Sequence, residues 1–284
     1  MTTRCAFCGA QGGLTSEDVL PQGLLKALRD ASVTGTVVYR QSKGRPGDTS
    51  AVHSRPGKSL ATKARVVCGA CNSTWMSQIE QSVTAFLPKL VKGHHVLLTC
   101  DRQEALASWS VKTILMLQHT HLRSHQVVIP PADYAAFFAA KSPSALMQVL
   151  TAYIEPPGRG SNLEATVQFL AENRDMAAVA RLMWHDDEPA PVDMHAYTAT
   201  LQIGYWVSRV IRVGAPQFVA GLSPGPAMRR YALTIWPAGG RPDWPPRSLA
   251  DIDGLIALAR SLDAGVDVVP PGASQAGQPA QWPL

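Results

Sequence analysis

The sequence has no long apolar segment and little charge. No apolar run approaches the roughly 18 residues that a membrane-spanning helix needs, so we expect no membrane association. The opening residues, MTTRCAFCGA, lack a charged segment followed by an apolar one, so we expect no signal peptide and a cytoplasmic protein. Internal repeats are also absent. With 46% hydrophobic and 17% charged residues among 284, the composition is that of an ordinary globular protein with one or two domains.

Cysteine is scarce, and four of the five cysteines form two C-x-x-C pairs, CAFC and CGAC, with 59 residues between them. In a reducing cytoplasm, clustered cysteines are ligands more often than disulfides. Four thiolates complete the tetrahedral coordination of zinc and leave no open position, which indicates a structural rather than a catalytic site. The predicted ligands are Cys5, Cys8, Cys68 and Cys71. We expect Cys100 to be a buried small hydrophobe.

Positive charge is concentrated in the first part of the chain. Residues 1–100 contain 12 Lys and Arg against 5 Asp and Glu, a net of +7, although the whole chain carries only +5. Such a distribution is typical of a protein with a polyanionic partner, although a solvated basic surface would give the same count. A Gly/Pro/Arg-rich insert at 40–65, expected to be a mobile loop or a loose hairpin, supplies seven predicted phosphate contacts: Arg40, Lys43, Arg45, Arg55, Lys58, Lys63 and Arg65.

The predicted fold class is α+β. We divide the chain into a zinc-containing module at 1–90, a larger helix-rich α+β domain of unknown role at 91–268, and a disordered Pro/Gly/Gln-rich tail at 269–284. Helices are predicted at about 20–30, after Cys71 as far as Pro88, and at 133–141 and 248–262. Another helix is predicted to begin at Asp101, which has capping-box spacing to Glu104. Trp75 and Met76 are expected to be core residues. Strands are predicted in TATLQIGYWVSRVI and RRYALTIWPAG.

The residues beside the two cysteine pairs form a further motif. LTSEDVLPQGLL follows the first pair, and the second pair lies within VVCGACNSTWMSQIE. Together these strings closely resemble the HNH, or ββα-metal (His-Me finger), endonucleases. Within that family, they are similar to a four-cysteine zinc subgroup with C-x-x-C, E-H-V-x-P and C-x-x-C-N-x-x-W motifs. The resemblance covers roughly residues 1–90, and the later strings KLVKGHH and ALASWSVKT also look like that group's continuation.

The resemblance implies a hairpin followed by a helix, with zinc holding their ends together and a catalytic divalent metal between them. Carried across by position, Glu17 and Asn72 would hold that metal. Oxygen ligands of this kind suit magnesium or manganese. The implied partner is nucleic acid, most simply DNA, and the implied reaction is phosphodiester hydrolysis. A site that cuts one strand implies nicking or a dimer, and nothing else in the sequence indicates self-association.

The chain departs from the family pattern at Asp18, where the family has a histidine that activates water. An aspartate, with a pKa of about 3.9, is a weaker base at neutral pH than a histidine with a pKa of about 6.5. We therefore expect Asp18 to act as a weak base or as an additional metal ligand. A second departure is Gly23, which stands where the group has tryptophan.

Each proposed metal ligand also has a structural interpretation. Glu17 and Asp18 precede a predicted helix, whose positive end favours acids, and Asn72 could cap the helix that follows it. The sequence is thus compatible with three functions. We expect a metal-dependent endonuclease; the alternatives are a catalytically inactive zinc-stabilised nucleic-acid-binding module and a zinc-stabilised protein-interaction module.

Overall fold

The computed structural model describes residues 4–30, 37–44, 53–57, 63–120, 129–154, 167–175, 195–214, 222–224, 231–246, 248–249 and 266–268. The described residues mix helix and sheet, which is compatible with the predicted α+β class. The predicted phosphate contacts Arg45 and Lys58 and the predicted disordered tail lie outside the described residues. Within these residues, no helix is both long enough and apolar enough to cross a membrane.

The described residues contain six helices and one π-helical turn, Asn72–Met76, which joins the second helix to the third without a break. The helices are α1 (Gln22–Asp30), α2 (Gly69–Cys71), α3 (Ser77–Val83), α4 (Leu87–Val91), α5 (Cys100–Leu117) and α6 (Pro131–Ala140).

Among the residues that the structure describes, the strands form one large sheet and three two-stranded ladders. The smaller strands are β1 (Leu14–Asp18), β4 (Lys63–Cys68), β5 (Val96–Leu97), β10 (Leu222–Pro224), β12 (Asp243–Trp244) and β14 (Val266–Val268), which pair as β1–β4, β5–β12 and β10–β14. The large sheet contains β2 (Val37–Gly44), β3 (His53–Gly57), β6 (Met147–Ile154), β7 (Val167–Asp175), β8 (His195–Ile203), β9 (Trp206–Arg212), β11 (Ala232–Trp236) and β13 (Ser248–Leu249).

The basic insert contributes two strands to the large sheet. The strand order is β11-β6-β9-β8-β7-β2-β3, with β13 parallel to β6. Strands β2 and β3 pair antiparallel, while β2 pairs parallel with β7. Of the two alternatives predicted for the insert, the structure thus has the hairpin, which is attached to a sheet formed mainly by residues after 140.

Helix α5 lies at the centre of the core, as its apolar sequence predicts. Trp109 is fully buried and packs on Trp206 of β9, with ring centroids 5.6 Å apart. The predicted capping box is wrong. The helix begins one residue earlier, at Cys100, so that Thr99 is the N-cap and Asp101 lies in the first turn without capping it. Cys100 is exposed rather than buried, because it occupies the outer side of that first turn.

Two other element predictions need correction. The helix after Cys71 ends at Val83, and Pro88 lies at the start of α4 instead of ending a helix, because proline suits the first helical turn. The predicted final helix starts instead with the strand Ser248–Leu249, and the rest of its range, 250–262, lies outside the described residues. The strands predicted in TATLQIGYWVSRVI are confirmed as β8 and β9, which form a hairpin that turns at Gly204, with a φ of +57°.

One hydrophobic cluster includes residues from both sides of position 90. Phe7, between the first two cysteines, lies 5.3 Å from Trp75 and 5.3 Å from Tyr134 of α6, measured between ring centroids. Trp75 and Met76 are both buried, which confirms that they are core residues. The first cysteine pair is therefore packed directly against the part of the chain that follows α5.

Candidate metal centre and the adjoining β-ladder

The first cysteine pair lies in a tight turn next to strand β4. The backbone N–H of Gly9 donates to Cys5 O at 3.0 Å, and Gly9 adopts the left-handed φ of +73° that favours glycine. The N–H of Ala6 donates to Val66 O at 2.8 Å, which fixes the turn beside β4. The second pair lies at the end of the same strand, with Cys68 its last residue and Cys71 in the first helical turn.

The four predicted zinc ligands converge as the spacing predicts. Their sulfur atoms all lie within 4.8 Å of one another, with Cys5 Sγ 3.9 Å from Cys71 Sγ and Cys8 Sγ 3.6 Å from Cys68 Sγ. A tetrahedron with Zn–S bonds of about 2.3 Å has edges of about 3.8 Å between sulfurs. Each close contact joins one cysteine from each pair. The four cysteines can therefore bind a metal ion such as zinc.

The surroundings of the sulfurs affect the thiol pKa values in opposite directions. Burial is the largest influence on Cys5 and would raise its pKa, but the backbone N–H groups of Cys8, Cys68 and Phe7 lower the pKa to about 7. Burial raises the pKa of Cys8, and raises that of Cys71 further. Four thiolates in so small a space repel one another, and a bound cation relieves that repulsion.

An aromatic group supports the second cysteine pair. The Trp75 indole opposes the effect of burial on the pKa of Cys71 and packs against Phe137 of α6 at 5.8 Å between ring centroids. On its other side, the ammonium of Lys141 lies 4.8 Å from the centroid of the Trp75 ring. The metal centre is thus continuous with the core through Trp75.

The β1–β4 ladder directs the two predicted acidic residues to opposite faces. Glu17 pairs with Ala64, and Asp18 pairs with Lys63. Directly opposed residues share a face of a ladder, and successive residues alternate between faces. Ala64 is buried and Lys63 is exposed, whereas Glu17 and Asp18 are both partly exposed. The register of the β1–β4 pairing shifts between Thr15 and Glu17, so the pairing of Glu17 and Asp18 is offset from that of Leu14 and Thr15.

Glu17 and Asn72 have uncommitted side chains. Both are partly exposed, and neither side chain makes a hydrogen bond or ion pair to any residue that the structure describes. Asn72 does not cap a helix through its side chain, because it is the first residue of the π-helical turn and already lies inside the helical segment. Both oxygen donors are therefore available to a ligand.

Asp18, in contrast, has one hydrogen-bonded carboxylate oxygen, Oδ2, and one buried oxygen, Oδ1, that takes part only in an ion pair. Gln22 Nε2 donates to Asp18 Oδ2 at 2.5 Å, and Lys63 Nζ lies 3.5 Å from Asp18 Oδ1. The side chain of Asp18 is 19% exposed, and that of Lys63 is 56% exposed. Gln22, at the start of α1, has no chemical signature in the sequence; only its four-residue separation from Asp18 could have indicated the contact.

The predicted phosphate contacts that the structure describes form two groups. Lys63 and Arg65 lie two residues apart on β4, both exposed on one face, and Arg65 Nε donates to Leu14 O at 3.4 Å. The others lie on the hairpin at the end of the large sheet: Arg40 and Lys43 on β2 and Arg55 on β3. The basic residues are therefore distributed over two separate ladders.

No family model, curated protein or solved structure matches this chain. The resemblance to HNH endonucleases therefore rests on the motif residues themselves, and the structure contributes the four-cysteine cluster, which is compatible with that family.

Proposed function

We propose that the N-terminal part of this protein is a zinc-stabilised, metal-dependent endonuclease that hydrolyses phosphodiester bonds in DNA. The observation that carries the proposal is the position of the four-cysteine cluster, at the junction between an antiparallel ladder and a helix. Strand β4 passes directly into the helical segment that begins at Gly69. That order of elements supports the hairpin-and-helix arrangement that the resemblance implies.

The residues at this junction have the chemistry that the proposed reaction needs. Glu17 and Asn72 offer a carboxylate and an amide oxygen, both partly exposed and without partners among the described residues, so they fit magnesium or manganese. A bound ion of this kind stabilises negative charge on the scissile phosphate. The Asp18 carboxylate, 3.5 Å from the Lys63 ammonium at Oδ1, is the candidate proton acceptor. Lys63 and Arg65 provide positive charge for phosphate groups.

Plasmid cleavage tests the proposal. With manganese or magnesium, the wild-type protein should convert supercoiled plasmid to nicked or linear product, and Glu17→Ala should abolish this through loss of the metal. Asp243→Ala is a matched control, because it removes an exposed acid whose ion-pair partner is His95, outside the ladder. Failure of the wild type to cut double-stranded, single-stranded or branched DNA in manganese would refute nuclease activity.

A catalytically inactive nucleic-acid-binding module is the second candidate. It is favoured by the contacts of Asp18, which stands at the position of the family histidine: Oδ2 accepts a hydrogen bond from Gln22, and the buried Oδ1 lies 3.5 Å from Lys63 Nζ. This candidate predicts salt-dependent DNA binding without cleavage, because phosphate contacts release counterions. Binding to a protein partner with no dependence on salt would favour the protein-interaction module instead.

A further inference from the structure

An open groove of about 480 Å³ lies between α3 and α5 and is bordered at one end by Trp75. Each helical segment lines it with residues spaced i, i+3, i+4 and i+7, which places them on one helical face. Lys141 and Trp236 contribute from later in the chain. The volume is in the usual range for small-ligand sites, about 300–1,000 Å³.

The groove has opposite charges at its two ends. Arg102 lies over the ring of Phe86, while Lys112 contacts Glu80, so α3 and α5 run antiparallel. Asp101 and Glu104, on the first turns of α5, therefore lie at one end. Ser108, which is about 10 Å further along the helix than Asp101, lies towards the Trp75 end, where Lys141 also sits.

The carboxylates at the acidic end have no cationic partner among the described residues. Asp101 and Glu104 are exposed, and neither side chain forms an ion pair or hydrogen bond with any residue in the described ranges. At the other end, the Lys141 ammonium already lies over the rings of Trp75 and Phe138 and donates to Phe138 O. A positively charged ligand group is thus attracted to one end of the groove and excluded from the other.

A second, independent feature is the hydroxyl of Ser108 in the floor of the groove. Ser108 is only 8% exposed, yet its hydroxyl makes no hydrogen bond within the part of the chain that the structure describes. Two residues later, Ser110 donates to Leu106 O at 2.7 Å, as a helical serine can. Nearly buried polar groups are normally paired, so a hydroxyl that remains unpaired while facing a cavity is suited to a polar ligand atom.

Lys141 is held in this position at some conformational cost. It is the only non-glycine residue with a positive φ, +58°, among those described, at a helix C-terminus where glycine is usual. A glycine at this position would provide no ammonium group. The Lys141 side chain provides one, and it sets the cationic end of the groove.

We propose that this groove binds an organic cation whose primary amine or guanidinium group lies between Asp101 and Glu104. The ligand extends past Ser108, with the indole of Trp236 as an apolar wall. The cation can belong to a small free amine or to a basic side chain of a peptide. Neither source depends on the proposed nuclease activity.

Calorimetric titration of the full chain tests this proposal with two probes, agmatine and a blocked tripeptide with a central arginine. At least one should bind, and the double variant Asp101→Asn/Glu104→Gln should weaken binding about five- to twentyfold, since each exposed charge pair that is lost accounts for up to about fivefold. Ser108→Ala should weaken binding by a smaller factor. Asp243→Asn, an exposed acid outside the groove, should bind as the wild type does.

The outcomes separate the two sources. Equal affinity for agmatine and for the tripeptide indicates that the ligand is a small amine. Tripeptide binding at least about tenfold tighter than agmatine binding indicates that the ligand is a basic side chain of a partner protein. Absence of binding by both probes at about 10 mM overturns the proposal, as does undiminished binding by the double variant. Both carboxylates are exposed, so the double variant should fold; an unchanged melting temperature checks this.

Discussion

Lys63 Nζ lies 3.5 Å from Asp18 Oδ1, across the β1–β4 ladder. The sequence predicts a phosphate contact for Lys63 and a catalytic or metal-binding role for Asp18, and the ion pair makes these two roles compete. A nucleic-acid phosphate that binds Lys63 must replace Asp18 as its partner. Because exposed pairs contribute only about 0–1 kcal/mol, this exchange is easily reversible.

The ion pair predicts that Asp18→Asn will tighten DNA binding by up to about fivefold, through release of Lys63 and loss of a repelling charge. Fluorescence anisotropy at low salt measures this. In a Lys63→Met background, the gain from Asp18→Asn should shrink. An equal gain in both backgrounds would show that the charge of Asp18 acts on DNA without Lys63.

Removal of one sulfur ligand should empty the metal centre. Purified wild-type protein should contain about one zinc per chain by elemental analysis, and Cys68→Ser should lose it and become protease-sensitive near its N-terminus, because structural zinc contributes folding free energy. Cys100→Ser is the matched control, since Cys100 is exposed and lies outside the cluster. Full zinc content and unchanged melting in Cys68→Ser would contradict the four-cysteine site.

Asp18→His restores the residue that the family has at this position. If Glu17 and Asn72 hold the metal, this variant should cleave DNA at least about tenfold faster than the wild type, because a positioned general base contributes about 10²–10⁴ in rate. Initial cleavage rates in manganese measure the effect, and Glu17→Ala should abolish cleavage in either background. A fast wild type with a slower Asp18→His variant would assign Asp18 its own catalytic role.

The basic residues should make DNA binding steeply dependent on salt. Each phosphate contact removed should reduce the slope of log K against log salt by about one unit. The variant Arg40→Ala/Lys43→Ala/Arg55→Ala tests the hairpin, and Arg65→Ala tests the ladder. Lys89→Ala, on α4, should leave the slope unchanged. A slope unaffected by both sets of changes would favour the protein-interaction module.

The ion pair between α3 and α5 should stabilise the fold. Lys112 Nζ lies 2.5 Å from Glu80 Oε1, and the Lys112 side chain is only 2% exposed, against 30% for Glu80. Glu80→Gln should cost about 3 kcal/mol in urea denaturation, because it leaves a buried charge unpaired. Replacing both residues, as Glu80→Leu/Lys112→Met, should recover most of that loss. Equal stability of the single variant and the wild type would mean that water solvates the Lys112 ammonium once the Glu80 charge is removed.

Local chemistry made some features predictable from the sequence. The C-x-x-C spacing predicted the convergence of four sulfurs, because metal coordination constrains these residues more than distant packing does. The burial of Trp75 and Met76 was also predictable, because large apolar residues beside a metal-binding cysteine pair have few places to go except the core. The division of the chain at residue 90, the metal between Glu17 and Asn72, and DNA as the partner stay predictions.

Features set by distant contacts could not be read from local pattern. The pairing of β2 with β7 joins segments more than 120 residues apart. The β8–β9 turn depends on Gly204, where a side-chain Cβ would lie 2.5 Å from Val91 O, a contact that only the folded structure reveals. Cys100 was assigned to the core because of its residue type, whereas the start of α5 leaves it exposed.

The closest sulfur contacts, Cys5 with Cys71 and Cys8 with Cys68, each join one cysteine pair to the other. A metal bound by all four would therefore close the segment between Cys8 and Cys68 into a loop. If the chain is cut once between β1 and β4 while a metal is bound, the two fragments should remain one particle, held by the metal, by the β1–β4 ladder and by Phe7 against Trp75. The cut would be visible on a denaturing gel but not in gel filtration. The two fragments expressed separately should associate more tightly when zinc is supplied, and a chelator should weaken that association without abolishing it.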